Sequence, residues 1–477
     1  MGKGIVFYLI SNIFMIIGGF AIHIGLGRFL GPARYGIFGV IFSLITLSEN
    51  FFNTGMIRSV AKHIAAKEAG AFSILKAGTM IQLYFSLALT VIVFFCADLI
   101  AGLLRDSSFA TFIRFGTIII IPMSIYKIRT AYLNGTKRFV QHSIVEIVYS
   151  LGKVFFVFAF VLMGFEIKGA IGGYAAAACA AIVVTLFYIR PSGTVDDFSY
   201  KIIVKFAIPI MIYAALFSFL MSMDVLFIKA MLKNDQLAGF YTAAVNISRI
   251  LWALASAFGS VLLPVISNAM AKNDLALVKK YIQSGIRYML LLLFPLAVIV
   301  HATAGKTIVL LYSKAYLPAE SSLCVLIYGY VFLTLFSILC IVITAVGKPK
   351  VATVIIAVLI PVNSFLSWTF IANMGIKGAA AALLSSSVIG VFLCYIFLFR
   401  LCNARFPVAT LIRLAVVGLV IFSIISRLDV AGFRLFLLYG VVFAGYMILL
   451  GALKEFNSED ADQIISLFKV RKTGAPV

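Results

Sequence analysis

The sequence predicts an all-α polytopic membrane protein, built as two related six-helix lobes around a central cavity, with two extra helices at the C-terminal end. Composition is the first observation: the 477 residues are 63% hydrophobic and only 12% charged, with a mean hydropathy of +1.13. Soluble domains are roughly half apolar. The second observation is that short signatures recur in the same order about 210 residues apart, as in internally repeated transporters.

The repeat is clearest in two segments that carry nearly the same letters. Residues 163–170 read MGFEIKGA, and residues 374–379 read MGIKGA. Tyr35-Gly36 and Tyr241-Thr242 form a second pair at a similar spacing. Because several separate loops share one offset, we predict that the second lobe repeats the first.

About fourteen segments are long and apolar enough to cross a bilayer, for which about 20 residues suffice. The predicted spans are 4–27, 36–61, 77–104, 111–133, 139–163, 169–189, 203–231, 239–270, 284–312, 320–346, 351–373, 379–402, 408–427 and 433–453. Runs such as 290–300 are too continuously apolar for the alternating strands of a membrane barrel. The first span has no small-residue cleavage site after it, so we expect a retained helix and not a signal peptide.

Four regions follow from this division. Residues 1–200 form the N-terminal lobe and 201–403 the C-terminal lobe, joined by a polar linker at 190–197. Residues 404–453 hold the two extra helices, and 454–477 read as a cytoplasmic amphipathic tail. Because each lobe has an even number of helices, the lobes should share one topology and be related by an axis along the membrane normal.

The net charge of +22 reports topology. Lys and Arg concentrate in the even-numbered connections, so the positive-inside rule places both termini in the cytoplasm and the protein in the cytoplasmic membrane. Nucleic acid is not an expected partner, because the basic residues form no patch interleaved with aromatics. The connections are too short for a catalytic domain, and the six cysteines lack metal-ligand spacing. We therefore expect no enzyme, no metal and no cofactor.

Ionisable groups at membrane depth are the candidate functional residues, because burying each costs at least ~2.5–3.5 kcal/mol and they normally face a cavity or a partner. The first group, for substrate binding, comprises Arg249, Arg58, Lys153, Arg129, Asn50 and Asn246. The second group, for coupling or gating, comprises Glu49, Asp224 and His23. Arg249, Lys153 and Glu49 lie too deep to reach water by snorkelling.

Structural roles compete with these assignments. Arg249 could form an internal salt bridge with Glu49 or with Asp224. Glu146 and Lys153, seven residues apart on one helix face, could form a water-linked structural pair. Asparagine, serine and threonine also join membrane helices by hydrogen bonds. A cavity that holds Arg and Lys but few acids suits an anion, above all a phosphate or pyrophosphate.

Four motifs resemble the polysaccharide-transport branch of the multidrug/oligosaccharidyl-lipid/polysaccharide (MOP) exporter superfamily. They are RFLGPARYG at 28–36, GMIR at 55–58, LNGTKRF at 133–139 and KGA at 168–170. The resemblance covers essentially the whole chain. It implies two six-helix lobes around a central cavity, alternating access and no chemical conversion.

The resemblance also implies site residues and a substrate. In the related lipid II flippases, cationic side chains of the first, second and eighth helices face the cavity, and Arg58 and Arg249 match two of them by motif position. The extra helices would form a groove for a prenyl tail. The implied function is flipping of a polyprenyl-pyrophosphate-linked oligosaccharide for surface polysaccharide biosynthesis.

The expected partners are that substrate, the bilayer and polysaccharide assembly enzymes. Coupling to Na⁺, to H⁺ or to the membrane potential stays open. An ion-coupled multidrug antiporter on the same fold is the alternative function. The short loops argue against a membrane enzyme. A scaffold that transports nothing would not need charged residues at the membrane midplane.

Overall fold

A computed structural model describes residues 2–66, 70–190, 198–428, 430, 432–453 and 455. The regular structure within these ranges is entirely helical, which confirms the predicted fold class. Most of the predicted linker and all but Glu455 of the predicted tail lie outside the described residues. The predicted boundaries of the two lobes stay predictions.

The helices follow one another with short connections. In order they are α1 (Gly2–Ala66), α2 (Ala71–Phe95), α3 (Ala97–Leu103), α4 (Phe109–Gly116), α5 (Ile120–Gly135), α6 (Phe139–Phe160), α7 (Glu166–Tyr188), α8 (Tyr200–Leu232), α9 (Asp235–Ala271), α10 (Leu275–Ala302), α11 (Ala304–Leu311), α12 (Glu320–Ala345), α13 (Pro349–Met374), α14 (Ile376–Cys402), α15 (Val408–Ile425) and α16 (Arg434–Ala452). Twelve apolar helical segments in the described part of the chain are long enough to cross a membrane.

The count of twelve differs from the fourteen predicted spans because two of the twelve segments are far longer than one membrane crossing, and each contains two predicted spans. They span 61 and 50 residues, whereas 20 residues of helix already cover about 30 Å. The first segment bends at Gly31 (φ 72°, ψ 172°), next to Pro32, and the second at Gly164 (φ 91°). We refer to residues 2–30 as the first arm of α1 and to 32–66 as its second arm.

The repeated sequence signatures coincide with matching chain reversals. Gly164 precedes α7 and Gly375 precedes α14, and both have positive φ, at 91° and 58°. Residues with a Cβ atom rarely adopt this conformation, which explains why both signatures contain glycine at that place. The sequence repeat is therefore also a repeat of local backbone structure.

The two lobes contact each other closely where α1 bends. A Cβ atom on Gly36 would lie 1.9 Å from the carbonyl oxygen of Asp235, and one on Gly239 would lie 2.0 Å from that of Pro32. Only glycine permits this approach of two backbones. We call the end of the bundle that carries residues 28–36, 104–109 and 232–239 the closed end.

Toward the opposite end, the first arm of α1 separates from α9. The five successive residues 6–10 are all exposed, and together they cover more than a full turn. Further along this arm, Ser150 of α6 donates to the carbonyl oxygen of Phe14 at 2.7 Å, a contact within the first lobe. The second arm and α8 stay joined across the lobes, because Ser59 Oγ donates to the carbonyl oxygen of Ile203 at 2.8 Å.

Candidate functional site

A buried polar network joins both arms of α1 to α9 near the closed end. Asn246 Nδ2 donates to Tyr35 Oη at 3.0 Å and lies 3.3 Å from His23 Nδ1. His23 Nδ1 is 3.2 Å from the same hydroxyl. Asn246 also donates to the carbonyl oxygen of Thr242 at 2.9 Å. The structure thus brings together two residues singled out in the sequence, one from each lobe.

Two further tyrosines extend this network from Tyr35, and we call Tyr35, Tyr312 and Tyr316 the tyrosine cluster. The hydroxyls of Tyr35 and Tyr312 are 3.4 Å apart, and the rings of Tyr312 and Tyr316 are 5.1 Å apart. Tyr316 Oη donates to the carbonyl oxygen of Gly27 at 2.8 Å. None of these tyrosines was predicted as a site residue. The sequence did contain an indication, because a tyrosine inside an apolar span needs a hydrogen-bond partner for its hydroxyl.

Arg249 lies one helical turn beyond Asn246, at the place where the two lobes begin to separate. Its side chain is partly exposed, and the next residue, Ile250, is 42% exposed. The guanidinium interacts with Tyr330 and lies within electrostatic range of His23. Arg249 is therefore a cation at the inner boundary of the closed end.

A second set of charges lies on the first lobe, within electrostatic range of the same histidine. Lys153 is buried, interacts with His23 and donates to the carbonyl oxygen of Met15 at 3.4 Å. Glu146 Oε1 lies 3.5 Å from Lys127 Nζ, and Glu146 is also within electrostatic range of Lys153. The proposed water-linked pair of Glu146 with Lys153 stays a prediction. Lys127 was not predicted as a site residue, although it is a charge well inside the predicted span 111–133.

Asp224 forms a separate buried site in the second lobe. It accepts hydrogen bonds from Tyr241 Oη at 3.0 Å and from Asn363 Nδ2 at 3.4 Å, and Ser386 Oγ donates to the Asn363 carbonyl oxygen at 3.1 Å. Among the described residues, neither Asp224 nor Glu49 forms an ion pair with Arg249. Both salt bridges weighed in the sequence analysis are therefore absent from this part of the chain.

The remaining predicted site residues lie elsewhere. Arg58 is exposed on the second arm of α1, away from the closed end. Arg129 Nε donates to Thr185 Oγ1 within the first lobe. Asn50 Nδ2 donates to Ser218 Oγ at 3.2 Å and so links the second arm of α1 to α8. This last contact is the interhelical role that asparagine often has in membrane proteins.

An ion-pair cluster joins the lobes at the closed end itself. Lys229, whose side chain is 2% exposed, places Nζ 2.7 Å from Asp106 Oδ2 of the first lobe and 2.6 Å from Asp235 Oδ1 of its own lobe. The ammonium group also lies 4.5 Å from the centre of the Phe109 ring. Hydrogen bonds from Lys229 and then from Ser108 lower the pKa of Asp106. We call Asp106, Lys229 and Asp235 the closed-end cluster.

Sequence comparison identifies the family. Residues 26–321 match a family model described as polysaccharide biosynthesis protein. The chain is also 25% identical, over 242 residues, to an uncharacterised membrane protein of Methanocaldococcus jannaschii. That alignment covers 49% of this chain and 46% of the relative, so the chain matches about half the length of that protein.

Solved structures of several transporters share this fold. An inward closed conformation of the lipid II flippase MurJ aligns with a TM-score of 0.76 at 16% identity, over 94% of this chain and 99% of that one. An inward-facing multidrug (MATE family) transporter aligns at 0.69 and 13% identity, over 84% and 99%. An outward-facing one aligns at 0.62 and 13%, over 83% and 96%. The chain therefore has the fold of these transporters and belongs to the polysaccharide biosynthesis protein family.

Proposed function

We propose that this protein flips a polyprenyl-pyrophosphate-linked oligosaccharide across the cytoplasmic membrane by alternating access, with no chemical conversion. The family description and the MurJ-like fold support a carbohydrate-related lipid as cargo. The two lobes join at the closed end and separate toward the opposite one. That asymmetry is what a single state of an alternating-access cycle requires.

The observation that carries the proposal is the position of Arg249. It lies where the lobes begin to separate, with His23 in electrostatic range of both Arg249 and Lys153. Lys127 in turn lies within electrostatic range of Lys153. Lys127 is paired with Glu146, whereas Arg249 and Lys153 form no ion pair among the described residues, so their positive charges can attract a ligand with two phosphate charges. Guanidinium groups also bind phosphate through paired hydrogen bonds.

The orientation follows from the charge distribution of the loops. The positive-inside rule assigns the end opposite the closed end to the cytoplasm, together with both termini. The cavity between the first arm of α1 and α9 would then admit a polar head group from the cytoplasmic leaflet. The closed end would face outward, where the oligosaccharide is released.

We assign the lipid tail to the surface of α15 and α16, which follow the two six-helix lobes. Both helices are apolar, and Leu419, Leu437 and Ile448 are among their exposed residues. A prenyl chain could remain along such a surface while the charged head crosses inside. We assign coupling to Asp224 and Glu49, because a carboxylate at membrane depth can take up a proton or a metal cation. Asp224 is buried without an ion-pair partner among the described residues, and Glu49 is half-buried with Lys127 in electrostatic range.

The test is the leaflet location of polyprenyl-linked oligosaccharides in host cells with and without this gene, probed by an impermeant glycosidase on spheroplasts. Loss of the accessible pool, with accumulation of a protected pool, is the expected result. An unchanged distribution in a host without a redundant flippase would contradict the proposal.

An ion-coupled multidrug antiporter is the second candidate. The buried Asp224 site favours it, because such a transporter needs an acidic group that binds an ion or a cationic drug. The cationic surroundings of Arg249 argue against it. Efflux of cationic dyes from proteoliposomes under a sodium or proton gradient distinguishes the two candidates.

A further inference from the structure

A groove of about 310 Å³ lies between α2 of the first lobe and α8 of the second, and no residue of the Arg249 site lines it. The residues that line it are Ile81, Tyr84 and Phe85 from α2, and Tyr200 and Val204 from α8. They are three or four positions apart on each helix, so each helix presents one stripe to the groove. Tyr84 is 71% exposed and Tyr200 is 55% exposed. The groove therefore opens to the surroundings of the bundle.

The second arm of α1 forms a fixed support for this groove. The ring of Phe85 stacks on that of Phe52 with centres 5.2 Å apart, and Gln82 Nε2 donates to Asn53 Oδ1 at 2.6 Å. These contacts hold α2 against the second arm. The same arm is joined to α8 by the hydrogen bond to the Ile203 carbonyl oxygen. The groove is thus built on packed helices and is not part of the gap between the lobes.

The length of the groove corresponds to one leaflet of a bilayer. A Cβ atom on Gly78 would lie 2.6 Å from Val60 Cγ2, and the residue before Val60 bonds to Ile203, so α2 and α8 are in register at that level. Counted at 1.5 Å per residue, Tyr200 and Phe85 then differ in depth by about 15 Å. This distance is about half of a 30 Å hydrocarbon core. The groove begins at the end of the bundle opposite the closed end, where α8 begins.

Two lysines border the groove at that end. Lys201 and Lys205 directly follow the lining residues Tyr200 and Val204, so they form a second stripe about 100° around α8 from the first. Both lysines are exposed. Within the part of the chain that the structure describes, neither forms an ion pair. Their long stems can keep the ammonium groups at the membrane surface.

We propose that this groove binds one anionic glycerophospholipid. An acyl chain lies along the two apolar stripes, and the phosphodiester lies beside Lys201 and Lys205. Basic residues at the end of membrane helices attract anionic head groups, whereas a zwitterionic lipid also brings a cationic group to the same lysines. The order of the groups in the protein, cationic at the surface and apolar below, matches their order in the lipid.

A lipid in this groove touches both lobes on the side where they stay joined. Its acyl chain contacts α2 of the first lobe and α8 of the second. A ligand that binds one state better than another shifts the population toward that state. An anionic lipid would therefore stabilise the joined side of the lobe boundary, independently of which cargo the protein carries.

The experiment is native mass spectrometry of the purified full-length protein with phosphatidylglycerol and phosphatidylcholine of identical acyl chains. The lipids differ by one net charge, so the wild-type protein should prefer phosphatidylglycerol about fivefold. Combining Lys201→Gln with Lys205→Gln should remove that preference. Lys350→Gln, which alters an exposed lysine of another even-numbered connection, should retain it.

A second pair of variants tests the apolar part. Val204→Trp fills the groove and should weaken the binding of both lipids severalfold, whereas Val354→Trp, at a position on α13 that is 59% exposed, should change neither. In the wild-type chain, phosphatidylglycerol with a photoactivatable acyl chain should crosslink to residues 81–85 and 200–204.

Three outcomes would overturn the proposal. They are equal binding of the two lipids by the wild-type protein, an unchanged preference in the double lysine variant, and crosslinks spread evenly over the lipid-facing helices. A preference lost equally in Lys350→Gln would also contradict a defined site. Because every readout reports lipid binding, the result is independent of whether the chain flips an oligosaccharide.

Discussion

The buried ammonium group of Lys229 lies 2.7 Å from the carboxylate of Asp106, across the boundary between the two lobes. Asp235 holds the same ammonium group from within the second lobe, at 2.6 Å. Lys229 therefore keeps one partner when the lobes part at this end, whereas Asp106 loses its own. A substitution of Asp106 should therefore weaken the contact between the lobes while Lys229 keeps its partner Asp235, so it tests the closed state with little damage to the fold.

Asp106→Asn should shift the population toward states that are open at this end. A partly exposed ion pair contributes about 0.2–1 kcal/mol, so the shift should not exceed about fivefold. Spin labels are attached to cysteines introduced at Ser107 and Gln236, in a protein whose native cysteines have been replaced. Compared with the same protein without the Asp106 substitution, a larger fraction of molecules should show a longer distance between the labels. Asp98→Asn is the matched control, because it breaks a 2.5 Å ion pair with Arg114 inside one lobe. An equal shift in both variants would contradict the role of the closed-end cluster.

Acidification should weaken the same contact. The Lys229 hydrogen bond lowers the pKa of Asp106 in the closed state below the ordinary value of about 3.9. The stabilisation is therefore fully present above that value and is lost as pH falls through the lowered pKa. The long-distance population should rise on titration below about pH 4 in the wild-type protein. Because Asp106→Asn removes the titrating group, its distance distribution should change less over the same range.

Arg249→Glu should abolish flipping without loss of folded protein. Removing a charged partner from a buried ligand phosphate costs about 2–5 kcal/mol, which is more than tenfold in affinity. The measurement is the glycosidase-accessible pool in complemented cells, with membrane content followed by immunoblot. Arg105→Gln, an exposed site at the closed end, should retain transport. Normal export by the Arg249 variant would remove this residue from the proposed site.

Asn246→Leu should destabilise the protein, because Asn246 is the residue that connects His23 and Tyr35 to α9. Leaving buried polar groups without partners costs about 1–3 kcal/mol. Thermal unfolding of the purified protein should show a lower midpoint than the wild type. In contrast, Asn373→Leu alters an exposed asparagine that bonds only within its own helix, to Thr369 at 2.8 Å, and should change stability little.

The helical architecture could be predicted from the sequence because it depends on local properties. Long apolar runs predict spans, and the repeated glycines at 164 and 375 mark chain reversals that the structure confirms. The number of separate helical segments was harder to predict. A helical segment can continue through a bend such as that at Gly31, and the length of an apolar run does not reveal the bend.

Side-chain partners were harder to predict because they depend on which helices become neighbours. Sequence spacing on one helix suggests a water-linked pair of Glu146 with Lys153, but it does not reveal that Lys127 of another helix forms a direct ion pair with Glu146. Likewise, Asp106 lies in a short loop, and the sequence around it does not predict its ion pair with Lys229, because that pair depends on α8 lying beside the loop. Charge at membrane depth selects His23, Arg249 and Lys153 one by one, because burial cost acts on each residue separately. That Arg249 and Lys153 both lie within electrostatic range of His23 is visible only in the structure.

Asp224→Asn should uncouple transport from its driving ion while leaving the fold intact. Asparagine is nearly isosteric with aspartate, so its carbonyl oxygen can still accept the hydrogen bond from Tyr241. It cannot bind a proton or a metal cation with the strength of a carboxylate. In proteoliposomes, accumulation driven by a sodium or proton gradient should disappear, whereas exchange without a gradient should continue. A variant that still responds to the gradient would leave Glu49, in the other lobe, as the coupling residue to test next.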